Sequence, residues 1–404
     1  MTSRSPAAAT TQRLIVPDFM RGFALLGIAI ANITTAWVFV DSSALGTRTM
    51  YGLISAEHTL LDQITMVVTG MFAHVRGLPM FATLFGYGLA FLVNSAEQKS
   101  WPINKARRVL WRRYATLAIF GSIHAVFIFF GDIIFLYSLL ALLLICLINF
   151  SEKILLWIAG VCFTLGALIA IGSAALESKF SLGSSAALVN LETYGEQLVF
   201  GLGMVLANTF LFIIIGSSII PCVIIGYVAG RRRMLSNVDQ YRKPLTIAAV
   251  ITLCVCIGIG IPFGLSVAGI VGNPSLWVGI NTGLGIASGP GFIALVALLF
   301  DARPALQSTL FVRMCAALGK RSMTGYIAQS LLMIVLVVNY GPLALGTNQG
   351  VSVLVGLAIV VWVITLVGAW ILELKNIAGP IETLHRRIAY SKPTPSNMVT
   401  QVTN

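Results

Sequence analysis

The chain has 404 residues, of which 57% are hydrophobic and only 10% are charged, whereas about a quarter are charged in ordinary soluble domains. This composition excludes a soluble globular protein, a disordered protein and a disulfide scaffold, and the mean hydropathy of +0.92 indicates that lipid surrounds most of the chain. The net charge of +12 does not indicate nucleic-acid binding, because the basic residues stand in short clusters between apolar runs.

Apolar runs of about 17–25 residues are long enough to cross the hydrocarbon core as helices. Ten runs meet this condition: 20–40, 76–94, 109–130, 133–149, 154–174, 200–228, 245–266, 276–300, 322–341 and 351–374. We therefore predict an all-α, polytopic integral membrane helical bundle of about ten transmembrane helices. The run 62–74 is short and is interpreted as an interfacial segment, while cleavage of the first run as a signal peptide would leave nine spans.

Most of the 26 Lys and Arg residues fall in alternate connections between these runs. By the positive-inside rule, both termini then lie in the cytoplasm, as expected for a multi-pass protein of the bacterial cytoplasmic (inner) membrane. The predicted organisation is a cytoplasmic tail over 1–19, one transmembrane domain over 20–374 and a cytoplasmic segment over 375–404 that ends in a disordered tail.

Ionisable residues at membrane depth are costly, so they are the first places to look for function. Asp18 and Arg21 are three residues apart and adjoin on a helix, and Asn32 follows near mid-membrane. One interpretation is that Asp18 caps the helix while Arg21 extends to lipid headgroups. The alternative is an ion pair inside the bundle that shapes a cytoplasmic substrate pocket.

His124 and Asp132 form a second group, which is placed in the outer half of the bilayer. On a straight helix the two would stand about 12 Å apart in height and make no contact unless the chain broke at Gly131. A His can act as a general base while a carboxylate fixes its tautomer. The structural alternative is that His124 bonds to another helix and Asp132 caps the next one.

Two further groups are candidates for substrate binding. His74 and Arg76 precede a predicted helix break and are placed at the outer rim, where they would bind an anionic or sugar-bearing substrate or serve as interfacial anchors. Arg112 and Arg113 end the densest basic cluster, which would contact anionic lipid or hold a phosphorylated cytosolic donor. The sequence contains no recognisable metal-binding or nucleotide-binding motif.

Several short motifs together resemble the YeiB-like family of bacterial multi-pass membrane proteins. They are Asp18–Gly22 with Asn32; Leu84–Gly88; Arg112-Arg113 with His124, Gly131–Ile134 and Tyr137; Gly319–Tyr326 with Gln329-Ser330; and Gly379–Glu382 with Arg386. The family is similar to transmembrane acyltransferases such as heparan-alpha-glucosaminide N-acetyltransferase.

The resemblance implies that a cytosolic acyl-coenzyme A, rather than a tightly bound cofactor, donates an acyl group to an envelope glycan or lipid on the far side. The resemblance suggests His124 as the base. In the acyltransferase hypothesis Asp132 or Asn32 orients it, and Tyr137 and the basic residues belong to the substrate site. Two alternatives stay open: a transporter or flippase, which the interrupted runs 245–266 and 276–300 favour, and a non-catalytic scaffold that binds lipid or a partner. Membrane lipids are the expected surroundings in all three cases.

Overall fold

The computed structural model describes residues 14–38, 59–180 and 193–390, apart from 339 and 348. Within those residues all regular structure is helical, which confirms an all-α, polytopic membrane protein. Seven helical stretches are long and apolar enough to cross a membrane: Ile15–Trp37, Leu60–Gln98, Glu152–Leu176, Tyr194–Ile214, Arg242–Val267, Pro274–Ala302 and Val351–Leu374. The ten-span count and the cytoplasmic placement of both termini stay predictions, and the end of the C-terminal tail lies outside the described residues.

The first half of the described chain contains eight α-helices. They are α1 (Ile15–Asn32), α2 (Leu60–Phe72), α3 (Gly77–Gln98), α4 (Ile103–Phe127), α5 (Ile134–Leu147), α6 (Glu152–Phe180), α7 (Tyr194–Gly216) and α8 (Ile220–Arg231). The prediction of one helix over 200–228 is wrong, because the chain turns between α7 and α8. Pro221 lies in the first turn of α8, where its missing N–H leaves no helical hydrogen bond unmade.

Eight more helices follow, several of them separated by short irregular turns. They are α9 (Arg242–Val255), α10 (Ile261–Val267), α11 (Pro274–Leu284), α12 (Ser288–Ala302), α13 (Leu310–Lys320), α14 (Ser322–Leu336), α15 (Val351–Leu374) and α16 (Pro380–Tyr390). A π-helical turn, Cys256–Gly260, joins α9 to α10, and a 3₁₀ turn, Gly285–Ala287, joins α11 to α12. The predicted spans 245–266 and 276–300 are therefore both interrupted.

Three boundaries differ from the sequence prediction. The first span begins at Ile15, so Asp18 lies inside its first turn and does not cap it. The run 62–74 is α2, which continues through a break at 73–76 into α3, so it is not a separate interfacial segment. The predicted span 322–341 contains a helix that ends at Leu336.

Small residues bring α3 and α8 into close contact, as is common between membrane helices. An added Cβ at Gly86 would overlap the carbonyl of Val223, and one at Gly226 would overlap the carbonyl of Thr83. The two backbones therefore touch directly, and the helices run side by side toward the same end of the molecule. Glu97, at the end of α3, consequently pairs with Arg231, at the end of α8.

Ion pairs gather the basic connections at one end of the bundle, which we call the basic end. They join Glu97 to Arg231, Glu152 to Arg232, Asp301 to Arg242, and Glu373 to both Lys320 and Arg321. Most of these pairs are exposed and each contributes little to stability. Their geometry nevertheless shows that the charged connections lie together, as the alternation in the sequence requires.

We expect Gly226→Ala to lower the stability of the protein by about 1–3 kcal/mol, because the new methyl group forces α8 away from α3. The matched control is Gly160→Ala in α6, where an added Cβ meets nothing within 4 Å. Thermal unfolding of the purified protein in detergent measures both variants. Equal unfolding temperatures for the two would contradict the close contact.

Candidate functional site

His124 and Asp132 are in direct contact inside the bundle. Nδ1 of His124 lies 2.8 Å from Oδ1 of Asp132, and both side chains are 1% exposed. The second carboxylate oxygen, Oδ2, accepts a hydrogen bond of 2.6 Å from the backbone N–H of Phe135 at the start of α5. Asp132 therefore both accepts a hydrogen bond at the start of α5 and contacts the imidazole. The role of His124 as a base stays a prediction.

The contact depends on where α4 ends. The helix stops at Phe127, and the carbonyl of His124 accepts hydrogen bonds from the N–H groups of both Ile128 and Phe129. The chain then turns through 128–133 and returns as α5, which brings Asp132 back to the imidazole. The 12 Å separation that a straight helix would give is wrong, because the chain leaves the helix several residues before Gly131.

The other imidazole nitrogen of His124 is buried, and among the described residues it has no hydrogen-bond partner. With Nδ1 held by the carboxylate, Nε2 is the nitrogen that can accept a proton. Two aromatic rings pack against the imidazole. The ring of Tyr326 is centred 5.1 Å from the imidazole and that of Phe129 is centred 6.4 Å away. The Phe129 ring in turn stacks on the Trp37 ring, and the two ring centroids are 4.1 Å apart.

A cavity of about 570 Å³ runs from the basic end into the bundle and reaches Tyr326. Its inner walls are apolar and aromatic, formed mainly by Phe81, Phe85, Leu117, Ile133, Ile134, Tyr137, Met323 and Tyr326. Tyr137 stacks between Phe81 and Phe85, and its hydroxyl donates a hydrogen bond to the carbonyl of Leu78. Tyr137 was predicted to belong to the substrate site, and the structure places it in this wall.

The mouth of the cavity is basic. Arg21, Arg113, Lys320, Arg321 and Arg386 line it, against the carboxylates Glu373 and Glu382. Glu373 pairs with both Lys320 and Arg321, and Glu382 accepts hydrogen bonds from the N–H groups of Met323 and Thr324 at the start of α14. The surplus positive charge at the mouth can attract an anionic ligand.

Two predicted residues shape this mouth. Arg21 lies 3.4 Å from Asp18 and donates a hydrogen bond to the carbonyl of Leu84, so the ion pair is inside the bundle. Arg113 donates to the hydroxyl of Tyr390, and its carbonyl is 2.9 Å from Nε2 of His385. These two contacts hold α16 against one side of the cavity mouth.

His74 and Arg76 are not at a rim, because both side chains are fully buried at the break between α2 and α3. The Arg76 guanidinium donates to the carbonyls of Gly70 and Met71, at the end of α2, and to Oδ1 of Asn281. These contacts satisfy backbone groups that a helix end leaves unpaired. We therefore interpret Arg76 as a structural residue that stabilises the break between α2 and α3.

Of the predicted site residues, only Arg21, Arg113 and Tyr137 line the cavity in the described part of the chain, and several lining residues were not predicted. Asn32 ends α1 and Arg112 is exposed, and neither lines the cavity in the described part of the chain. Tyr326, Arg321 and Glu382 do line it. All three stand in the motifs Gly319–Tyr326 and Gly379–Glu382, which are the sequence signals that could have found them. Among the described residues no group of three His, Cys, Asp or Glu side chains could hold a metal ion.

Comparison with known proteins identifies relatives along the whole chain. Residues 229–392 match the DUF418 family, described as a protein of unknown function. The protein YxaH of Bacillus subtilis strain 168 is 23% identical over the full length of both chains. YeiB of Escherichia coli K12 is 28% identical over 40% of this chain and 39% of its own. Both relatives are described as uncharacterized.

We expect Arg76→Met to lower stability by about 2 kcal/mol or more, because it leaves buried carbonyl groups without donors. Arg108→Met, at an exposed position on α4, is the matched control and removes the same charge at little cost. The unfolding temperatures of the two purified variants in detergent measure this difference in stability. An Arg76→Met protein as stable as the Arg108→Met protein would show that the helix break does not need the guanidinium.

The free energy of unfolding of the protein should fall in mild acid because of His385, at the basic end. Burial, helped by the Arg113 cation, lowers the pKa of His385 below its ordinary value, although the hydrogen bond to the Arg113 carbonyl partly opposes this shift. The unfolded chain therefore binds a proton at the ordinary pKa while the folded chain stays neutral, so stability is greatest above that value and declines as the pH falls below it. His385→Gln should flatten the decline in unfolding temperature between about pH 7 and pH 5.

Proposed function

This chain belongs to the YeiB-like family of multi-pass membrane proteins, and we propose that it is a transmembrane acyltransferase. In this proposal it moves an acyl group from a cytosolic acyl-coenzyme A to an envelope glycan or lipid across the bacterial cytoplasmic membrane. The observation that carries the proposal is the buried His124–Asp132 pair, whose Nε2 has no partner among the described residues.

The pair has the arrangement that a general base needs. Asp132 holds Nδ1 as a donor, which leaves the Nε2 lone pair free to accept a proton and stabilises the imidazolium that forms. The acceptor hydroxyl gives its proton to Nε2 while its oxygen bonds to the thioester carbonyl carbon. The carbon–sulfur bond then breaks, and the departing thiolate takes the proton from the imidazolium. The imidazole ends each cycle neutral.

The cavity supports the donor side of the proposal. Its basic mouth suits the phosphates of coenzyme A. Arg113 and Arg386 are the best candidates to bind these phosphates, because Lys320 and Arg321 are already paired with Glu373. Its aromatic inner walls suit the acyl thioester. The donor is a substrate and not a resident cofactor, and nucleic acid has no part in the proposal.

The far side of the pair supports an acceptor that comes from outside the cell. Phe129 and Trp37 lie beyond His124, at the ends of α4 and α1 that are remote from the basic end. An acceptor hydroxyl would approach through this aromatic layer. The orientation of the chain, with its basic end in the cytoplasm, is part of the proposal.

Replacing His124 by Gln should lower the transfer rate by about 10²–10⁴-fold, the usual contribution of a general base. Asp132→Asn should also lower it, although the amide oxygen can still cap α5. The assay supplies radiolabelled acetyl-coenzyme A to membranes and measures label in the lipid and glycan fractions.

The matched control for these variants is Asp62→Asn, which alters a buried carboxylate that caps α2 and binds Ser352, away from the cavity. It should retain transfer once its folded fraction is taken into account. Full transfer by His124→Gln would remove the imidazole from the reaction and refute the mechanism.

A transporter is the second candidate, and the helix breaks favour it. The break at 73–76, the π turn Cys256–Gly260 and the 3₁₀ turn Gly285–Ala287 meet around Arg76: Gly70 touches Gly260, and an added Cβ at Gly285 would overlap the guanidinium. Broken helices of this kind form substrate sites in transporters. Solute uptake by proteoliposomes without any acyl donor would favour this function.

A further inference from the structure

Tyr326 lies between the cavity and the His124–Asp132 pair. It is part of the cavity wall, whereas His124 and Asp132 do not line the cavity in the described part of the chain. Its ring is 4% exposed and packs against the imidazole at a centroid distance of 5.1 Å with the planes inclined by 45°. The ring thus closes the inner end of the cavity at the point nearest to the candidate base.

A second aromatic ring also packs against the imidazole. Phe129, 1% exposed, faces His124 edge-on and is itself covered by Trp37, which is 3% exposed. His124 is therefore in contact with two buried aromatic rings, those of Tyr326 and Phe129. An aromatic pair contributes about 0.5–1.5 kcal/mol in addition to the burial of its rings, so a bound thioester must offset both contributions to move the Tyr326 ring.

We infer that Tyr326 is a positioning residue that separates the donor cavity from His124 and admits the acyl thioester to the imidazole only when it moves aside. This inference rests on the proposed function for its purpose, but the partition itself is a property of the fold. Its value to a transferase is the exclusion of water, since the base that activates an acceptor hydroxyl also activates water.

The side reaction that the partition would prevent is hydrolysis of the donor. Water gives a proton to Nε2 of His124, and its oxygen bonds to the thioester carbonyl carbon. The carbon–sulfur bond breaks, and the thiolate takes the proton from the imidazolium. The products are free coenzyme A and the acyl carboxylic acid. Opening the partition should therefore raise thiol release without acceptor, while transfer falls.

The first test measures access to the imidazole and does not require activity. Diethyl pyrocarbonate acylates an unprotonated imidazole nitrogen, and mass spectrometry of the peptide that contains His124 follows the reaction. Tyr326→Ala should react several-fold faster than the unmodified protein, and Tyr326→Phe, which keeps the ring, should react at the unmodified rate. The peptide with His385, at the mouth, is the internal reference and should not change.

Folding is verified for each variant by its unfolding temperature, and Tyr326→Leu replaces Tyr326→Ala if the latter does not fold. Unchanged reaction of His124 in a folded truncation variant would overturn the partition. Faster reaction in the truncations and not in Tyr326→Phe would support it.

The second test measures thiol release from acetyl-coenzyme A with no acceptor added. A rise in Tyr326→Ala that disappears in the double variant with His124→Gln supports both the partition and the base. If neither the unmodified protein nor any variant releases thiol while His124 is modified faster in the truncation variants, the partition is supported and the acyl transfer is refuted. The two failures are therefore distinguishable.

Discussion

The burial of one carboxylate, Asp132, constrains the rest of the site. An ionisable group this deep in a lipid-facing bundle is tolerated only when both of its oxygens have donors. Here the donors come from opposite ends of one turn: His124 from the last turn of α4, and the N–H of Phe135 from the first turn of α5. Closing that turn places α5 against α4 and fixes the cavity wall that α5 provides.

The same constraint explains how the other polar side chains of the described structure are used. A helix that breaks inside the membrane exposes backbone groups that no water can reach. Arg76 satisfies the carbonyls at the end of α2, and Glu382 satisfies the N–H groups at the start of α14. Charged residues of this kind satisfy the backbone groups of helix ends, so their burial does not indicate substrate binding. His124 differs from these two residues because its buried Nε2 serves no backbone group and has no described partner.

The helical class and the costly polar residues could be predicted, because apolar run length and isolated charges are local features of sequence. The His124–Asp132 contact could not, since the run 109–130 stays apolar through the point where α4 ends and only Gly131 indicates a break. The burial of Arg76 was missed for a related reason. Its partner Asn281 is about 200 residues away in the chain, and nothing local distinguishes a buried helix-end donor from an interfacial anchor.

The asymmetry of the cavity bears on the choice between the proposed functions. A transporter carries one substrate through a site near the middle of the membrane that opens to each side in turn. His124 contacts Tyr326, which belongs to the wall of a cavity with a basic mouth and aromatic inner walls, and it separately contacts Phe129, which stacks on Trp37. Two such different approaches fit two different substrates that meet at one base. In the proposed transferase the reacting carbonyl reaches His124 only when the Tyr326 ring moves aside.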